Sequence, residues 1–224
     1  MNNNKAKIIF FDVDNTIFDH VNSCVSPLTI YSLTQLKKKG YKLCICTGRS
    51  LDELREIDRC VLDLFDDLIC LSGSYIVGNN KHIALINKID VEDVINTLDS
   101  YNMTYRYATA DGKGYLNKHD KLIEELFYKD YQMIPEIKSY NSEEVLQIMY
   151  YGKNKKIENE IAKHFSNLNV IVNRVCGEIN NKNTNKGEAI AKVCNDYNYG
   201  LFEAIAFGDD DNDIPMFEKV GFSV

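Results

Sequence analysis

The chain has 224 residues, of which 45% are hydrophobic and 26% charged, and its net charge is −7. That composition belongs to a globular protein rather than a disordered one, with room for one large or two small domains of roughly 100 to 150 residues. The negative charge leaves no electrostatic case for nucleic acid or an anionic membrane as partner, so a bound anion would need local groups or a metal.

The opening "MNNNKAKIIFF" carries too short an apolar run for a signal peptide, and no later run could span a bilayer. Seven cysteines, at 24, 44, 46, 60, 70, 176 and 194, form no CxxC pair and mostly sit in apolar runs. An odd count without a disulfide spacing reads as reduced core residues in a cytoplasmic protein.

In chain order, "KIIFFDV" has the length and continuous apolarity of a strand buried on both faces, as in a parallel sheet. A helix follows, with Ser26 as N-cap, Pro27 at its first position, Leu28, Tyr31 and Leu36 on the expected apolar face and Gly40 at its end. "YKLCICT" is the second strand. After Thr47-Gly48-Arg49, Ser50 and Glu53 form a capping box, and Leu51, Leu54, Ile57, Val61 and Leu64 predict a helix by their spacing. "DLICLSG" is the third strand of a doubly wound α/β pattern, whose ligands bind beyond the carboxyl ends of the strands.

The pattern then changes. "YIVGNNKHIALI" reads as a hairpin around Gly78-Asn79-Asn80 that opens an inserted mixed α/β segment. Helices near 91–100, 118–129 and 155–166 are expected there, with strands near 103–109 and 113–117, at "VLQIMYY" and at "NVIVNRV". The winding resumes with a helix from Asn185 to about Tyr197, the strand "EAIAFG" and a short helix after Asp213. The expected organisation is a core at 1–77 and 182–224, interrupted by a cap domain at 78–181.

Three strand ends deliver the chemistry-bearing residues. Asp12 and Asp14 end the first strand, Thr47 the second, and "GDDDND" (Gly208 to Asp213) the strand before it; Lys186 opens a helix where the dipole disfavours a cation unless an anion lies near. So many carboxylates need a counter-ion, and an all-oxygen set suits Mg²⁺ with a phosphate. Asp12 would then be an ionised nucleophile. Asp14, its pKa raised by its neighbours, would serve as a proton donor and then acceptor. Asp209, Asp211 and Asp213 mimic the start of a calcium loop, but Ile214 and Val220 replace its glycine and glutamate. The same residues fit a DDxxD diphosphate motif, against which the preceding strand argues.

Taken together, "DVDNT", Thr47 in "CTGR", Lys186 in "NKGEAI" and "GDDDNDIPMF" resemble, in order, the four motifs of the haloacid dehalogenase superfamily. The large insertion, entered through "LSGSYIV", is similar to that of the Cof-like branch. The resemblance implies a Rossmann-like core with an α/β cap and a Mg²⁺-dependent phosphatase acting on a small phosphorylated metabolite such as a sugar phosphate. It implies Asp12 as nucleophile and metal ligand, and Asp14 as general acid/base with its carbonyl on the metal. Thr16 would support the motif, Thr47, Lys186 and Asn212 would hold phosphate, and Asp209 and Asp213 would hold or orient the metal.

Arg49, Arg106, Tyr107 and Arg174 are candidate substrate contacts, whereas His20, His82, His119 and His164 show no metal-ligand spacing. Asn15 stands where the family usually has glycine, a substitution that asparagine's backbone tolerance should accommodate. The chain stops at "VGFSV", earlier than the resemblance implies, so an edge of the core is expected to be short. The expected state is a monomer or weak homodimer. Alternatives are a phosphomutase of the same chemistry, a receiver-type phosphoacceptor, or a non-catalytic phosphate-ligand-binding protein.

Overall fold

The computed structural model describes residues 6–152, 155–164, 167–172 and 176–224. The chain begins with β1 (Ile8–Phe11), a hairpin of β2 (Phe18–Asp19) and β3 (Cys24–Val25), α1 (Pro27–Lys38), β4 (Lys42–Cys46), α2 (Arg59–Leu62), β5 (Asp67–Cys70) and a second hairpin, β6 (Tyr75–Val77) and β7 (His82–Ile83). The insertion holds α3 (Lys88–Ser100), β8 (Thr104–Thr109), β9 (Gly114–Leu116), α4 (Lys121–Tyr131), β10 (Glu136–Ile137), β11 (Val145–Tyr151), α5 (Lys155–His164), β12 (Leu168–Val172) and β13 (Cys176–Asn181). The return to the core supplies α6 (Lys186–Asp196), β14 (Ala204–Phe207), α7 (Ile214–Phe217) and β15 (Phe222–Ser223).

The first unit comprises Met1–Arg49, Leu54–His82 and Asn185–Val224. Its sheet runs β15-β14-β1-β4-β5-β6-β7, with β15 through β5 parallel and β6 antiparallel to β5. All four residues of β1 are buried, the pattern of a strand covered on both faces. Ile8, Phe10, Cys44, Cys46 and Ile69 form one cluster with Ala189, Ile190 and Val193 of α6. α6 begins where the Asn185 side chain accepts the Glu188 N–H (2.9 Å), and α1 where Ser26 Oγ accepts the Thr29 N–H (3.1 Å).

Two expectations for this unit need correction. The face of α1 that packs inward carries Leu33, while Leu28 and Tyr31 are exposed. Leu33 alternates with polar neighbours, so periodicity over so few apolar residues picked the wrong stripe. The continuous helix after Ser50 is instead a 3₁₀ turn at Glu53–Glu56 and the short α2, separated by Asp58 in non-helical backbone (ψ 133°). The capping box is present, with the Ser50 N–H on Glu53 Oε2 (2.6 Å) and the Glu53 N–H on Ser50 Oγ (3.4 Å).

The second unit comprises Ser50–Glu53 and Ile83–Thr184. Its sheet runs β10-β9-β8-β11-β13-β12, antiparallel except between β9 and β10. Side chains alternate along β8. Tyr105 and Tyr107 enter a cluster with Val91, Val94 and Leu98 of α3 and with Ile157 and Ile161 of α5, whereas the Arg106 guanidinium lies 5.9 Å from the Phe127 ring of α4. The strands β10 and β13 have no clear signal in sequence, because "EI" is too short and "CGEINN" too polar to read as a strand. Among the described residues, no helix is long and apolar enough to cross a membrane.

Candidate active site

The sheet register determines what meets at its carboxyl edge. Phe11 pairs with both Ile45 and Phe207, so the residues that follow, Asp12, Cys46 and Gly208, leave three adjacent parallel strands at one level. The Asp12 N–H donates to the Phe207 carbonyl at 2.9 Å. Asp12, Thr47 and Asp209 therefore emerge side by side at the strand ends where such sheets bind ligands.

Lys186 reaches into this edge from the first turn of α6. Its ammonium, with a side chain only 1% exposed, donates to Asp12 Oδ1 (2.7 Å), Asp213 Oδ1 (2.6 Å) and Asn212 Oδ1 (3.3 Å). Burial acts to lower the Lys186 pKa, but the charges of Asp12 and Asp213 outweigh it and hold the amine protonated. Burial pushes Asp12 up to about 6; Lys186 opposes this, and Asp213 and Asp14 add to it.

The loop after β14 is built around Asp213. Its Oδ2 accepts the N–H groups of Asp209 (3.0 Å) and Asp210 (3.2 Å), while Oδ1 faces Lys186. A side chain on Gly208 would collide with that carboxylate, so glycine is required there by close approach. Asp209 Oδ1 accepts from Thr16 Oγ1 at 3.2 Å, which joins the first acidic segment to the last. Asn15 has φ +57°, a left-handed conformation that asparagine tolerates.

Thr47 is fully buried, and its Oγ1 accepts the Arg49 N–H at 3.1 Å, so its hydroxyl proton remains as a donor. The backbone after β5 turns back over this loop, with the Ser72 N–H on the Thr47 carbonyl (3.0 Å) and the Leu71 N–H on the Arg49 carbonyl (2.9 Å). Leu71 and Ser72 both take φ +52° to do so. Such left-handed non-glycine backbone carries strain of roughly 1–3 kcal/mol per residue and collects at functional loops.

The expected electrostatics of Asp14 are reversed. Burial acts to raise its pKa, but hydrogen bonds and charge from Arg49, and then from His20, outweigh burial and hold the carboxyl below the ordinary range. The two aspartates do differ in protonation tendency, with Asp12 the one shifted upward. Neighbouring acids in the sequence suggested repulsion at Asp14; tertiary contacts supplied two cationic partners instead.

The candidate substrate arginines are placed differently from expectation. Arg49 is buried and donates to Asp14 and to Glu56 Oε2 (3.1 Å). Arg106, a candidate substrate contact, is 2% exposed and paired with Glu53 Oε1 at 3.1 Å inside the second unit, where Gly114 leaves room for its guanidinium. Tyr107 is fully buried in that unit's core. Arg174 lies outside the described residues. His20, which shows no metal-ligand spacing in sequence, is bonded to Asp14, and sequence spacing carried no signal for that contact. The chain reverses after Asn15, with the Asn15 N–H on the Phe18 carbonyl (3.0 Å), and that turn brings His20 back beside Asp14.

Ligand oxygens of Asp12, Asp209 and Asp213 lie within 4.8 Å of one another. Hard oxygen donors around a buried carboxylate pushed up to about 6 fit a divalent cation of the Mg²⁺ type. Both Asp213 oxygens are engaged, by Lys186 and by backbone N–H groups, which suits it to orienting the loop.

The family model of haloacid dehalogenase-like hydrolases matches residues 9–224. The 5-amino-6-(5-phospho-D-ribitylamino)uracil phosphatase YitU of Bacillus subtilis (strain 168) is 23% identical, the match covering 98% of this chain and 86% of that protein. A putative phosphatase of Mycoplasma pneumoniae is 27% identical over 96% of this chain and 85% of its own length. Among solved structures, the phosphatase BT1666 of Bacteroides thetaiotaomicron superposes with TM-score 0.82 at 21% identity, covering 98% of this chain and 83% of that one. The subclass IIB sugar phosphatase BT4131 gives 0.83 at 20% identity, covering 97% and 86%. With the family model spanning every strand-end acid and Lys186, the chain belongs to the haloacid dehalogenase-like hydrolases.

Proposed function

We propose that the protein is a Mg²⁺-dependent phosphatase that hydrolyses a small phosphorylated metabolite, of the sugar phosphate class, through an aspartyl-phosphate on Asp12. The observation that carries this reading is the buried Lys186 ammonium shared by Asp12, Asp213 and Asn212 at the carboxyl edge of a parallel sheet. YitU, a 5-amino-6-(5-phospho-D-ribitylamino)uracil phosphatase, and BT4131, a sugar phosphatase, support the substrate class.

Asp12 and Asp209 would hold the cation, together with the Asp14 carbonyl, and Asp213 would orient them. When bound, Mg²⁺ withdraws charge from the phosphoryl oxygens and offsets the surrounding carboxylates. Lys186, Thr47 and Asn212 hold the phosphate. An Asp12 carboxylate oxygen attacks phosphorus. Asp14, held ionised in the free protein, takes up a proton as substrate binds and supplies it as the bond to the leaving oxygen breaks. Water then attacks the same phosphorus and gives a proton to ionised Asp14. The phosphorus–Asp12 bond breaks, releasing inorganic phosphate and regenerating both carboxyl groups.

The test is release of inorganic phosphate, with Mg²⁺ present, from a panel of sugar phosphates and other small phosphate monoesters alongside a generic aryl phosphate. Turnover of one or more metabolites above the aryl phosphate supports the reading. Isomer interconversion without phosphate release would show a mutase, and no turnover of any ester would overturn the enzymatic assignment.

A further inference from the structure

Three side chains of the first unit that the proposed reaction does not yet use, Glu56, Arg49 and His20, form a continuous chain with Asp14. Arg49 Nη2 lies 2.6 Å from Asp14 Oδ1, and its Nε lies 3.1 Å from Oδ1 and 3.3 Å from Oδ2. His20 Nε2 stands 2.7 Å from the same Oδ1. Resting on the reading of Asp14 as the general acid/base, we infer that Arg49, braced by Glu56, and His20 are positioning residues that fix the Asp14 carboxylate and leave Oδ2 as the oxygen that exchanges protons.

Several contacts hold Arg49 independently of Asp14. Its N–H is fixed by Thr47 Oγ1 (3.1 Å), its carbonyl by the Leu71 N–H (2.9 Å) and its Nη1 by Glu56 Oε2 (3.1 Å). The guanidinium also lies 4.8 Å above the Phe18 ring. With its side chain 1% exposed, its rotamer is set before any ligand arrives, and a planar fork held in this way fixes direction as well as charge. Phe18 serves both sides of the clamp, because its ring also meets the His20 ring edge-on at 5.3 Å.

The two Asp14 oxygens are loaded unequally. Oδ1 carries the contacts of 2.6 and 2.7 Å, while Oδ2 carries the longest, 3.3 Å. Glu56 gives a further indication. Its side chain is 4% exposed, and its Oε1 is buried without a hydrogen-bond partner. An unmet buried acceptor is destabilising, so a clamp selected for stability alone would not be expected to retain one.

The experiment measures kcat and KM for an aryl phosphate, whose leaving group needs little protonation, and for an alkyl phosphate, whose leaving group needs it. Arg49→Met should lower kcat on the alkyl ester by roughly 100-fold, within the range that general acid catalysis contributes, and on the aryl ester by less than about 10-fold, with KM little changed. His20→Ala should show the same asymmetry at about 5-fold to 10-fold, and His20→Gln, which keeps an N–H donor, should retain more activity than His20→Ala. In an Asp14→Asn background, Arg49→Met should cause no further loss.

Equal losses on both esters in Arg49→Met and His20→Ala, or a full further loss in the Asp14→Asn background, would overturn the positioning role. If Asp14→Asn itself shows no leaving-group asymmetry, the assignment of Asp14 fails instead. Should Arg49→Met not fold, the His20 pair carries the same decision from a half-exposed hairpin position.

Discussion

Each unit of the molecule buries a basic side chain beside carboxylate, and the two sites differ in their charge balance. Arg106 in the second unit has one described carboxylate partner, Glu53, and sits over an aromatic ring. Lys186 in the first unit contacts two aspartates, Asp12 and Asp213, and Asp209 lies within reach of both. A balanced buried pair can be understood as architecture, since it satisfies the charge that folding removed from water. A surplus of carboxylates around one ammonium is unfavourable in isolation. It becomes reasonable when a cation and a phosphate complete the site.

Four measurements would break or sharpen that contrast. The largest effect is expected from Asp12→Asn, which should lower kcat/KM by roughly 1,000-fold or more, about 4 kcal/mol of transition-state stabilisation, with the fold intact by circular dichroism. Activity surviving the substitution would remove Asp12 as nucleophile. Excess chelator should bring the wild type down to a comparable background, and added Mg²⁺ should restore it, as phosphate-release assays would show.

The second unit should respond in stability and not in chemistry. Arg106→Met removes the cation beside buried Glu53 and should cost about 3–5 kcal/mol in denaturant unfolding, while kcat of the folded fraction stays within about twofold. Arg106→Met combined with Glu53→Leu should recover much of that loss, because it removes both charges. A large rise in KM in the single variant would return Arg106 to the substrate.

The smallest effect is expected at Asp66, which accepts from Lys37 Nζ (2.6 Å), Lys42 Nζ (3.0 Å) and the Leu43 N–H (3.0 Å). Burial acts to raise its pKa, but these contacts outweigh it and hold the carboxyl below its usual value of 3.8. A carboxyl depressed in the folded state adds stability above its unfolded pKa and loses that contribution as pH falls through its folded value. Asp66→Asn should therefore cost about 1 kcal/mol near neutral pH, and the difference from wild type should shrink as the pH drops below the ordinary carboxylate range. A pH-independent difference would rule out the charge as its cause.

Much of the first unit was legible because local and global signals agree there. Ser26 and Asn185 cap the helices their neighbours predict, and the apolar run of β1 is buried throughout. The strand-end acids could be placed because parallel strands share a carboxyl edge. The second unit was less legible. The strand "CGEINN" is held by pairing with β11 and β12 on either side, a support invisible in its composition. The helix expected after Ser50 breaks at Asp58, whose ψ of 133° lies outside the helical range.

The clamp on Asp14 marks where sequence reading stops. Arg49 lies 35 positions from Asp14, and His20 reaches it only through the turn at Asn15. Sequence by itself determined the order of the chemistry-bearing segments and the edge to which a parallel sheet delivers them, since side-chain alternation and strand direction are local properties of the backbone. Only the tertiary structure decided which aspartate is pushed up and which is held down. A pKa depends on burial and on charges a few ångströms away, and those neighbours come from distant parts of the chain.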